Sequence, residues 1–155
     1  MRPVASFILF LPAFVQAADP LMTELQHPGR VWSRDDLAAK LFGTCRRNRG
    51  TVSQREIAAW ARLLDVDRPL KTDGTLGNGL KVREVALTCI EELSGESFYP
   101  VKGSEASMRE ILSTTRNGEV ERFHIAAILP EDLPAIRKAI QKWLHKKPCK
   151  QGASE

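Results

Sequence analysis

The chain has few of the residues that announce chemistry. Its three histidines, His27, His124 and His145, lie far apart, and none has a metal-ligand spacing such as HxxxH. No glycine-rich loop follows a strand-like run, so there is no phosphate cradle. No metal or cofactor is expected on these grounds. Aromatic residues are sparse, at 6%, and never interleave with the basic clusters, which argues against nucleic acid as a partner. The formal net charge of +4 is mild and does not by itself mark a nucleic-acid binder. Beyond residue 17 no apolar run approaches the roughly 20 residues of a spanning helix, so no transmembrane segment is expected in the mature chain.

Cysteine is scarce too. Cys45, Cys89 and Cys149 allow one intramolecular pair out of three choices, with one thiol left over. Cys89 falls on an apolar helix face and reads as a small buried hydrophobe. Cys45 and Cys149 both lie in polar, basic surroundings near element ends. Any bridge is therefore expected between Cys45 and Cys149, the competing outcome being no bridge.

What is present begins with an export pattern. Met1 and Arg2 give a positive start, Val4 to Val15 is an apolar run, and Val15-Gln16-Ala17 offers small residues at the two positions a signal peptidase inspects. No cysteine follows to carry a lipid. Residues 1–17 are expected to be a cleaved signal peptide, 18–148 a helical domain and 149–155 a disordered polar tail. The protein should then be exported, either periplasmic or secreted, where an oxidising environment is available to the thiols. Roughly 140 residues remain after cleavage, which suits one domain.

Helical periodicity dominates that domain. Ala18 to Val31 reads as an extended lead-in broken by Pro20, Pro28 and Gly29. Ser33 caps a helix carrying Leu37, Ala38, Leu41 and Phe42, ended by Gly43, and Arg46-Arg47-Asn48-Arg49-Gly50 is a basic turn. Ser53 and Glu56 form a capping box before Ile57, Ala58, Trp60, Ala61 and Leu64. Asp65 to Gly79 reads as a long loop. Val82, Val85, Ala86, Cys89, Ile90 and Leu93 then keep the spacing of one helix face, with Arg83, Glu84, Glu91 and Glu92 on the other faces and Gly95 as the C-cap. Ser104 or Ser107 could open a short helix with Met108, Ile111 and Leu112 on one side. Val120 to Leu129 fits a helix or a strand. Leu133, Ile136, Ile140, Trp143 and Leu144 mark a last helix whose outer side is basic. The expected fold class is all-α, a compact helical domain.

Val82-Arg83-Glu84-Val85-Ala86-Leu87, with Leu93-Ser94-Gly95 and Phe98, resembles the second helix of a PBS-lyase-type HEAT repeat, and Ile57 to Asp65 resembles the first. Arg137 to Trp143 is similar to the Trp-containing helix that closes such arrays. The resemblance implies one HEAT-like helix pair in an exported bacterial protein, a binding or scaffold role, and no catalytic residues.

Four patterns remain as candidate sites. Cys45 beside Arg46, Arg47 and Arg49 could be a nucleophile assisted by His124, because positive charge lowers a thiol pKa. Asp65, Asp67 and Asp73 hint at a calcium loop, but Leu76 holds the twelfth position, where a bidentate carboxylate is required. Asp73-Gly74-Thr75-Leu76-Gly77 looks like the turn of small peptidoglycan-binding helical domains. The basic residues Arg46, Arg47, Arg49, Lys138, Lys142 and Lys146, with Asp73 and Leu76, make up a candidate binding surface for a protein or an anionic cell-envelope component. The first expectation is an exported non-enzymatic protein of scaffold, inhibitor or immunity type. The alternatives are a peptidoglycan-binding module and a small secreted Cys-dependent enzyme.

Overall fold

A computed structural model describes residues 19–77, 79–99, 108–114 and 117–146, with the backbone alone for 108–114. The expected signal peptide (1–17), the polar tail (149–155) and Cys149 lie outside the described residues. So do Ser104 and Ser107 and the basic residues Lys147 and Lys150.

The first helix, α1 (Pro20–Leu25), stands where an extended lead-in was expected. Its start is local chemistry: Asp19 accepts the Leu21 N–H at 2.8 Å, and Pro20 supplies a φ suited to a first helical turn. β1 (Val31–Trp32) leads into α2 (Arg34–Thr44), where Ser33 Oγ accepts the Asp36 N–H at 3.1 Å. A 3₁₀ turn at Arg46–Asn48 follows. Ser53 caps α3 (Gln54–Arg62) through the Glu56 N–H, as its sequence requires, and a second 3₁₀ turn covers Leu63–Asp65.

The stretch expected to be a long loop contains β2 (Lys71–Thr72), which pairs in parallel with β1. α4 (Val82–Ser94) ends at Gly95 with φ 73°, the left-handed conformation that glycine adopts without strain. α5 (Leu133–Lys146) closes the described chain.

An all-α description does not hold. β3 (Met108–Thr114) and β4 (Val120–Ala126) form an antiparallel hairpin with Ile111 opposite Phe123. Met108, Ile111 and Leu112 belong to a strand and not to the short helix expected of them. The ambiguous Val120 segment is also a strand over its first seven residues. In β4, Phe123 and Ile125 are buried while Arg122 and His124 are exposed, the period-two alternation of a half-covered sheet. The fold is predominantly helical with this hairpin and the small parallel pair.

α4 occupies the centre. α3 and the Leu63–Asp65 turn pack on it from one side, and β4 and the Arg46–Asn48 turn from others, while α2 lies against β3. Every residue from Val82 to Ile90 is buried. Arg83 and Glu84, expected off the apolar face, and their neighbour Thr88 are at 4%, 6% and 6% exposure. Burying them is tolerable because each is hydrogen-bonded. Arg83 Nη2 donates to the Ile128 carbonyl, Glu84 accepts from Lys81 and Ile128, and Thr88 Oγ1 donates to the Glu84 carbonyl.

Candidate binding surface

The basic turn after α2 is mostly spoken for inside the fold. Arg46 meets both oxygens of Glu92, with Nε to Oε2 at 3.0 Å and Nη2 to Oε1 at 2.8 Å. It also reaches Glu121 Oε2 at 2.6 Å and the Arg122 carbonyl at 2.7 Å. Its guanidinium stacks 4.1 Å from the centre of the Phe123 ring. Arg49 donates to the carbonyl and carboxylate of the same Glu92. Burial by itself would raise the Glu92 carboxyl, but the hydrogen bonds and charges of Arg46 and Arg49 hold it below its ordinary value. Arg46 and Arg49 therefore tie α4 and β4 to the end of α2, and of this candidate cluster only Arg47 is left exposed without an ion pair among the described residues.

The Asp73 to Gly77 turn is exposed except at Leu76, and its polar groups are likewise engaged within the fold. Asp73 Oδ1 accepts both the N–H and the hydroxyl of Thr75, which lowers the Asp73 carboxyl below its usual range. Thr75 Oγ1 accepts the Arg34 N–H at 2.8 Å, satisfying a free donor in the first turn of α2. Leu76, expected to be a surface contact, is buried in the hydrophobic core. The turn anchors the start of α2, and its one apolar side chain faces away from solvent. Asp65 and Asp67 are engaged by basic side chains, Asp65 by Arg137 and Asp67 by Lys81 and Arg83.

Cys45 is wholly buried, in contrast to the polar surroundings expected of it. His124 is exposed, whereas its apolar neighbours Phe123 and Ile125 point into the core. The two do not form a nucleophile pair. Cys45 instead lies beside Cys89, and both are unbonded thiols. Burial first, then the hydrogen bond and charge of Cys45, push the Cys89 thiol well above its ordinary value.

α5 differs from these elements. Its fourteen residues contain no Asp or Glu. Ile136 and Ile140 pack into the core, Phe98 meets Trp143 edge-on at 6.3 Å, and Arg137 pairs with Asp65. Lys138, Lys142 and Lys146 stand exposed at four-residue spacing and make no ion pair among the described residues. A cleft of about 300 Å³ opens between α3 and α5, lined by Ala58, Ala61, Arg62, Arg137, Ile140 and Leu144 among others. Among the described residues no group of three or more His, Cys, Asp or Glu could hold a metal, and no helix is long and apolar enough to cross a membrane. Compared with family models, curated proteins and solved structures, the chain matches none.

Proposed function

We propose that this chain is an exported, non-enzymatic binding protein, of scaffold, inhibitor or immunity type, that holds an acidic protein partner on the outer face of α5. The observation that carries this reading is the line of Lys138, Lys142 and Lys146, uncompensated on a helix without acids. A helix rises about 1.5 Å per residue, so the three ammonium groups project at intervals of about 6 Å along a line of about 12 Å. A partner helix with carboxylates at i, i+4 and i+8 repeats that interval and is the complementary surface. The neutralisation of Arg46 and Arg49 supports the same choice, because it leaves only Arg47 unpaired in that cluster against three lysines on α5. The packing of α3 on α4 is compatible with a HEAT-type pair acting as the scaffold behind this face. The export pattern of residues 1–17 supplies the compartment.

Neither alternative draws support from the geometry: Leu76 is buried away from a glycan, and Cys45 is buried away from His124. Cross-linking from position 142 in the native host tests the proposal. A protein should be captured through an Asp/Glu-rich segment, and K138E/K142E/K146E should lose it while keeping a native circular dichroism spectrum. Capture of peptidoglycan or lipid instead, or undiminished capture by the triple variant, overturns the reading. Mass spectrometry should place the mature N-terminus near Ala18; an intact Met1 on soluble cytosolic protein overturns export.

A further inference from the structure

Two thiols on different elements meet in the core. Cys45 ends α2, its N–H closing the last helical turn on the Leu41 carbonyl at 2.9 Å. Cys89 lies in the middle of α4. Both are at 0% exposure, within one apolar cluster, and their sulfurs are within hydrogen-bonding reach. The approach is imposed by the surrounding fold. Arg46, the residue after Cys45, grips Glu92, one helical turn beyond Cys89, and the Gly50 N–H reaches the Leu93 carbonyl at 3.0 Å. These flanking contacts hold the two backbone segments together on either side of the thiols, and a bridge requires such closely held backbones.

We propose that Cys45 and Cys89 are a disulfide-forming pair, a covalent modification site that joins the end of α2 to the middle of α4, with Cys149 left as the thiol. The oxidant is a disulfide carrier, either a dithiol oxidoreductase in its oxidised form or glutathione disulfide. Thiolate attack by one cysteine breaks the carrier S–S bond, forms a mixed disulfide and releases one carrier sulfur as a thiol. Attack by the second cysteine forms the intramolecular bond and releases the other carrier sulfur. Two electrons and two protons end on the carrier, and the protein loses two hydrogen atoms. Because the folded core admits no carrier, exchange takes place on the partly folded chain, and the finished bond is then shielded from reductants.

In the cell this inference rests on the proposed export for its oxidant, but its test does not. The reduced, denatured full chain is refolded in a mixture of reduced and oxidised glutathione. Remaining thiols are alkylated under denaturing conditions, and peptides are mapped by mass spectrometry. The expected product links Cys45 to Cys89 and carries one alkyl group, on Cys149. A bridge that includes Cys149, or alkylation of all three cysteines, overturns the proposal. Cys149→Ser should keep the bridge and show a Tm about 5–10 °C lower after reduction. Cys45→Ala/Cys89→Ala should show no response to reductant. An oxidised Tm no higher than the reduced one also overturns the pairing. The N-terminus found in the host reads export separately, so the two failures are distinguishable.

Discussion

Glu84 and Ile128 are 44 residues apart in the chain, and Glu84 Oε1 accepts the Ile128 backbone N–H at 3.2 Å in the core. The carbonyl of the same Ile128 accepts from Arg83 Nη2 at 3.1 Å, so two adjacent side chains of α4 hold both polar groups of one residue just after β4. The other Glu84 oxygen accepts the Lys81 N–H at 2.9 Å and caps α4. One carboxylate thus starts the central helix and fixes where the hairpin leaves it.

Glu84→Ala strips the partner from two N–H groups and should lower stability by about 2–4 kcal/mol. Urea unfolding checks this as a lower midpoint at unchanged slope. Ile128 itself is buried, so its N–H is not returned to bulk solvent when the acceptor is lost. An unchanged midpoint would show that the clamp contributes nothing.

Arg46 should behave as a structural residue. Arg46→Ala is expected to cost about 2–3 kcal/mol, because Glu92 and Glu121 then lose their shared cation. Arg46→Lys should recover less than half, since an ammonium cannot meet both Glu92 oxygens and stack on Phe123 at once. Full recovery by lysine would mean that charge alone matters. Capture of the partner on α5 should persist in both variants.

Acid should weaken the fold through the same contact. The Glu92 carboxyl is lowered in the folded chain, so the unfolded chain binds its proton first as pH falls. Its contribution is complete above the ordinary glutamate value of about 4.3 and is lost as pH drops through the lowered folded value. Glu91 acts in the opposite sense: burial raises its carboxyl, so protonation there favours the fold. Comparing wild type with Arg46→Ala tests the contact, since the substitution removes the cation that Glu92 shares with Glu121. The variant should show a shallower loss of urea midpoint between neutral pH and about pH 2; parallel curves would rule the pair out as the acid-sensitive contact.

Leu76→Ala should cost about 2–4 kcal/mol, as a core truncation does, and should leave partner binding intact once the protein is folded. Lys138→Glu/Lys142→Glu/Lys146→Glu should do the reverse, changing stability by only about 1 kcal/mol in total while abolishing capture. Calorimetry read beside the cross-linking assay separates the two surfaces.

The sequence by itself determined the local elements. Ser33 and Ser53 start α2 and α3, Gly95 stops α4, and the apolar spacing of α4 and α5 marks the faces they bury, because caps and periodicity act within one or two helical turns. Asp19 and Pro20 start α1, although Pro20 alone reads as a breaker in the sequence, since proline suits a turn as well as a first helical position. Tertiary structure decided the rest. The periodicity of α4 marks one buried face, yet α4 is covered all round, and only the arrival of β4 and residues 127–132 turns Arg83 and Glu84 from solvent groups into a clamp on Ile128. Arg46 and Arg49 read as a basic patch until Glu92 and Glu121, 46 and 75 residues beyond Arg46, are brought to them. Cys45 stands among arginines in the chain and beside Cys89 in the fold. A side chain's neighbours along the chain set its local conformation, but its charge balance and burial depend on partners that only packing supplies.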